Sequence, residues 1–93
     1  MLTVVGLSHH TALVELRERF AFSDARLMAA LQTLRETRLA EEVVILSTCN
    51  RVELYAATSL DDRKAFTELR QFLLNCHDYR DPLTDELYSL TEP

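Results

Sequence analysis

Leu2 to Leu7 is a short apolar run centred on Val4-Val5 and apolar on both faces, the pattern of a central strand. Ser8-His9-His10-Thr11-Ala12 breaks it. Thr11 is placed to cap a short helix over Leu13 to Phe20, and Ser23, followed by Asp24, to cap a longer one from about Ala25 to about Leu39. Leu27, Leu31 and Leu34 recur there at helical spacing and form the expected core stripe. Val43-Val44-Ile45-Leu46 is a β-branched run of strand length, and Val52-Glu53-Leu54-Tyr55-Ala56 alternates as a second strand. Thr48-Cys49-Asn50-Arg51 joins them as a hairpin, with Asn50 suited to a left-handed conformation. Ser59 and Asp62 resemble a capping box before a helix whose face is Phe66, Leu69, Phe72 and Leu73. Asp81-Pro82 closes that region, and Leu87-Tyr88-Ser89-Leu90 reads as a weak last strand.

The order is β-α-β-β-α-β, a ferredoxin-like split βαβ pattern of the α+β class. It predicts an antiparallel sheet with helices on one face and the first and third strands side by side at its centre. Residues 1–93 form one domain. Two strands apolar on both faces imply that something else covers the open side of the sheet.

Composition narrows the function classes. Hydrophobic residues make up 47% and charged residues 27%, which argues for a folded chain. The net charge of −5, with no basic run, disfavours a stand-alone nucleic-acid binder. The only glycine is Gly6, so no phosphate loop or dinucleotide fingerprint lies within these residues. No stretch approaches the length of a membrane span, and the N-terminus lacks the basic region of a signal peptide. Two cysteines so spaced make neither a zinc site nor a disulfide framework, so a reduced, cytoplasmic chain is expected.

Cys49 carries the most chemical information. It sits among polar residues at a strand end, where a rigid sheet presents side chains to a ligand. Arg51, two residues away, is a cation able to favour its thiolate. Two readings stay open on pattern alone: a nucleophile, or an ordinary hairpin cysteine. Cys76, after Phe72-Leu73-Leu74 on a helix, reads as a packed thiol that forms no dyad with His77. His9 and His10 are expected on opposite faces, which disfavours joint metal binding; two readings stay open, a histidine facing the Cys49 loop as acid, base or donor, and a solvated or capping histidine. Glu15 to Arg19 reads as a solvated helix face with local ion pairs.

Two stretches together resemble the glutamyl-tRNA reductase family. Gly6-Leu7-Ser8-His9-His10-Thr11-Ala12, continuing through Val14-Glu15-Leu16-Arg17-Glu18, resembles the opening of that family. Glu42 to Tyr55, with Ser47-Thr48-Cys49-Asn50-Arg51 at its centre, resembles its catalytic segment. Leu13 stands where the family has proline. The motifs cover about the first 55 residues.

The resemblance implies an N-terminal catalytic part of an NADPH-dependent reductase acting on glutamyl-tRNA at the entry to tetrapyrrole synthesis. Cys49 would form a thioester with the glutamyl group before hydride reduction to glutamate-1-semialdehyde. Thr48, Cys49, Asn50 and Arg51 would line the glutamate pocket. NADPH would be bound by a domain outside these residues, and a homodimer formed through a C-terminal domain also outside them. The remaining catalytic residues, a histidine among them, would lie beyond residue 93. No metal and no membrane are implied, and no residue identifies a protein regulator, a protease adaptor or a haem ligand. The alternatives are a non-catalytic ferredoxin-like regulatory or interaction module and a single-strand RNA module using Tyr55 and Tyr88 as stacking platforms. The charge and the missing aromatic stripe weigh against the RNA module.

Overall fold

The computed structural model describes residues 1–92; Pro93, at the end of the expected 1–93 domain, lies outside the described residues. In chain order the elements are β1 (Leu2–Ser8), α1 (Val14–Phe20), α2 (Asp24–Thr37), β2 (Glu42–Ser47), β3 (Arg51–Ala57), α3 (Asp62–Cys76) and β4 (Tyr88–Glu92). The four strands form one antiparallel sheet in the order β2-β3-β1-β4. This is the ferredoxin-like arrangement read from the sequence, with β1 and β3 central.

Cross-strand register separates the two faces. Leu7 pairs with Val52, Val5 with Leu54 and Thr3 with Ala56, and these side chains are buried on the helix side. Phe20, Leu34, Leu69 and Leu73 complete the core from the three helices. Ser8–Arg51, Gly6–Glu53 and Val4–Tyr55 pair on the opposite face. That face carries Val44 and Leu90, 62% and 64% exposed, so nothing among the described residues supplies the expected cover.

Several local expectations are corrected. Thr11 does not cap α1. Its hydroxyl accepts from Ser8 N–H at 3.0 Å and donates to the Ser8 carbonyl at 3.3 Å, closing the turn after β1. Leu13 takes the N-cap position with no side-chain bond. Ser23 does cap α2, accepting from Arg26 N–H. That helix stops at Thr37, short of Leu39, because Arg38 turns into the left-handed region at φ 59°. Of the leucine stripe only Leu34 is fully buried; Leu27 and Leu31 are half-buried at the edge of the core. Asp61, not Ser59, caps α3 and accepts from Lys64 N–H at 2.8 Å. The same helix ends at Cys76, before Asp81-Pro82, with Asp78 at φ 49° just beyond its His77 cap. β4 begins at Tyr88, one residue later than expected, and runs on to Glu92.

Candidate functional site

Thr48, Cys49, Asn50 and Arg51 lie on the turn that joins β2 to β3, at one end of the sheet. Thr48, Cys49 and Asn50 are exposed, and Arg51 is half-buried. The turn does not use a left-handed Asn50; among the described residues only Arg38 and Asp78 have positive φ. Thr48 shapes it instead. Its hydroxyl accepts from the Asn50 and Arg51 N–H groups, each at 3.2 Å, and its own N–H donates to the Arg51 carbonyl at 2.8 Å. A threonine side chain thus supplies locally the partners that a special backbone conformation would otherwise provide.

Two tethers come from distant chain. His9 N–H donates to the Asn50 carbonyl at 2.8 Å, joining the end of β1 to the turn. Arg17 on α1 donates through Nε to the Cys49 carbonyl at 3.3 Å and through Nη1 to the Ala12 carbonyl at 2.7 Å. The expected ion pairs of the Glu15–Arg19 face are absent among the described residues, whose salt bridges are Arg51–Glu53 and Arg80–Asp78. Arg17 is spent on backbone carbonyls, and Arg19 lies 5.0 Å from the Tyr79 ring centroid. Sequence reasoning missed Arg17 because the partner that matters for the turn, the Cys49 carbonyl, lies 32 residues away. Its place one helical turn after Leu13 was the only local hint.

His9 and His10 do not point to opposite faces. β1 ends at Ser8, so strand alternation no longer applies, and their rings stand 3.9 Å apart in the exposed turn. Among the described residues no group of three His, Cys, Asp or Glu side chains is arranged to hold a metal ion. No helix is long and apolar enough to cross a membrane.

The Arg51 guanidinium lies 3.5 Å from the Glu53 carboxylate. Glu53 is the centre of a polar cluster on the open sheet face, accepting from the Tyr55 hydroxyl at 2.9 Å and from the Tyr88 hydroxyl. The hydrogen bond to Glu53 pushes the Tyr55 pKa up, followed by burial. For Tyr88 burial is the larger cause and the bond to Glu53 the second. Their hydroxyls are therefore committed to a carboxylate.

Cys76 is half-buried, as expected of a packed thiol, and burial pushes its pKa up. His77 makes no dyad with it: Nδ1 faces Arg26 Nη2 at 3.2 Å, and the ring packs on Phe20 and Phe22.

Comparison with known proteins adds an independent line. The family described as glutamyl-tRNAGlu reductase, N-terminal domain, matches residues 5–92. A glutamyl-tRNA reductase of Rippkaea orientalis is 51% identical over 72 residues, covering 77% of this chain and 17% of that protein. One from Geotalea daltonii is 45% identical over 87 residues, covering 92% of this chain and 20% of that protein. Among solved structures, glutamyl-tRNA reductase from Methanopyrus kandleri superposes with a TM-score of 0.64 at 27% identity, covering 95% of this chain and 18% of that one. The chain thus spans about a fifth of the length of the relatives it matches.

Proposed function

The chain belongs to the glutamyl-tRNA reductase N-terminal-domain family, and on that premise we propose that it is the N-terminal catalytic part of a reductase acting on glutamyl-tRNA. The observation that carries the reading is Cys49, exposed on a turn tied from Thr48, His9 and Arg17. A nucleophile needs both access and a fixed position, and this turn supplies both.

In the proposed step the Cys49 thiolate attacks the carbonyl carbon of the glutamyl ester. A C–S bond forms, the ester C–O bond breaks, and the ribose oxygen leaves as an alkoxide that takes a proton from solvent, replacing the one the thiol gave to solvent on forming the thiolate. The free N–H donors of the Arg51 guanidinium suit the side-chain carboxylate of the glutamyl group. Thr48 and Asn50 complete the polar lining.

The resemblance further implies NADPH as reductant and glutamate-1-semialdehyde as product. The residues of this chain do not fit that cofactor. A dinucleotide pyrophosphate needs a glycine turn opening a helix. The one glycine, Gly6, lies within β1, with Glu53 occupying the space beside it. No reduction step is therefore assigned to these residues; cofactor binding and dimerisation fall, in this reading, to the other domains of the reductase.

The test is transfer of labelled glutamate from glutamyl-tRNA onto the protein, beside Cys49→Ser. Hydroxylamine-labile label on the wild type alone is the expected result. Label that survives in Cys49→Ser would overturn the assignment. The second reading, a non-catalytic interaction module, draws on exposed Val44 and Leu90. It requires that Cys49→Ser leave the protein's function intact.

A further inference from the structure

Glu53 is 5% exposed, although it lies on the sheet face that no helix covers. A carboxylate withdrawn from water needs partners, and three converge on this one. Tyr55 and Tyr88 donate to its two oxygens from neighbouring positions on β3 and β4, and Arg51 Nη1 lies 3.5 Å from Oε1. Gly6, directly opposite on β1, leaves the room: a Cβ there would fall 2.9 Å from Glu53 Cγ. Both tyrosine pKa values are raised, so the phenols remain protonated donors across the neutral range.

The Arg51 side chain, 39% exposed, has no other polar partner among the described residues. Its Nη1 end is held beside the carboxylate by the ion pair, without a hydrogen bond among the described residues, and its N–H donors are free. A planar fork held in this way loses little entropy when it takes up a second carboxylate.

We infer that Glu53 is a positioning and specificity-determining residue, which with Tyr55 and Tyr88 fixes the Arg51 guanidinium to select a glutamyl over a glutaminyl ester. The inference rests on the reading of Arg51 as the ligand of the glutamyl side chain. The selective element is geometric. An untethered guanidinium still attracts an anion, but it no longer offers two parallel N–H bonds to a carboxylate at a fixed place.

The test compares Glu53→Gln and Tyr88→Phe with wild type in the full-length reductase, using glutamyl-tRNA and misacylated glutaminyl-tRNA. Thioester formation at Cys49 is read for both substrates, with iodoacetamide alkylation of Cys49 as a check on the turn. In Glu53→Gln the preference for the glutamyl ester is expected to fall by about tenfold or more, the worth of one charge-assisted hydrogen bond. KM should rise more than kcat falls, with Cys49 alkylation unchanged. Tyr88→Phe should shift the preference in the same direction by less, and it carries the test if Glu53→Gln does not fold. A slower reaction with unchanged preference in the folded variants would overturn the inference, leaving Glu53 a structural residue only. Absence of the Cys49 adduct from wild type would overturn the functional reading itself, and this inference with it.

Discussion

Arg17 Nε lies 3.3 Å from the carbonyl oxygen of Cys49, 32 residues away in the chain. The helix after β1 thereby supports the back of the turn that carries the thiol. The same guanidinium donates to the Ala12 carbonyl, so one side chain joins the two motif-bearing segments. Arg17→Ala should cost about 2 kcal/mol of stability, the net worth of two hydrogen bonds at a partly exposed site. If Cys49 acts as proposed, the substitution should also slow thioester formation there by about tenfold through lost orientation. Denaturant melts and single-turnover kinetics separate the two effects. Unchanged kinetics would show that the turn holds its shape without this tether.

Gly6 sits where any Cβ would fall on the Val52 carbonyl oxygen and within 2.8 Å of Glu53 Cα. These are backbone atoms of a central strand, and they have no rotamer with which to yield. Gly6→Ala should destabilise the fold by about 2 kcal/mol or more, in the range of core overpacking. Thermal unfolding measures it. A melting temperature equal to wild type would mean that β1 and β3 separate more easily than their register suggests.

The two thiols should react at different rates with iodoacetamide. Cys49 is exposed, whereas Cys76 is half-buried with its pKa raised by burial. At pH 7.5 Cys49 is expected to be alkylated first, since the thiolate is the nucleophile and access limits the other thiol. Mass spectrometry of a time course reads both sites. Faster modification at Cys76 would contradict the packing of α3.

His77 has its pKa lowered to about 4, mainly by burial and then by the Arg26 and Arg19 charges. Its folded pKa thus lies below its unfolded value of about 6.5, and the fold favours the neutral ring. The contribution is fully present above pH 6.5 and is lost as pH falls from there through 4. His77→Phe, which cannot be protonated, should lose less stability over that window than wild type. Its ring can still pack on Phe20 and Phe22, and Nε2 is buried without a hydrogen-bond partner in the wild type. Parallel slopes of stability against pH for the two proteins would refute the assignment.

The hydrophobic pattern by itself determined the ferredoxin-like order, the antiparallel sheet and the central place of β1 and β3. Strand runs and helical stripes depend on neighbours a few residues away, so Val5, Leu54, Leu69 and their like are legible in one dimension. Cys49 on a polar hairpin at a strand end was legible for the same reason, whereas the pocket roles of Thr48, Asn50 and Arg51 came from the family resemblance. Local caps were less legible: Thr11 and Ser59 were read as caps from residue type alone, and backbone geometry placed Leu13 and Asp61 there instead. The tethers were not legible at all. Arg17 on Cys49, His9 on Asn50 and Tyr88 on Glu53 join groups on different elements, whereas Arg51, Glu53 and Tyr55 share one face of β3. Such contacts exist only once strand register and helix placement are set, because a hydrogen bond requires a few tenths of an ångström that sequence spacing does not encode. The sequence thus determined where the cysteine turn lies, and the tertiary structure decided which residues hold it there.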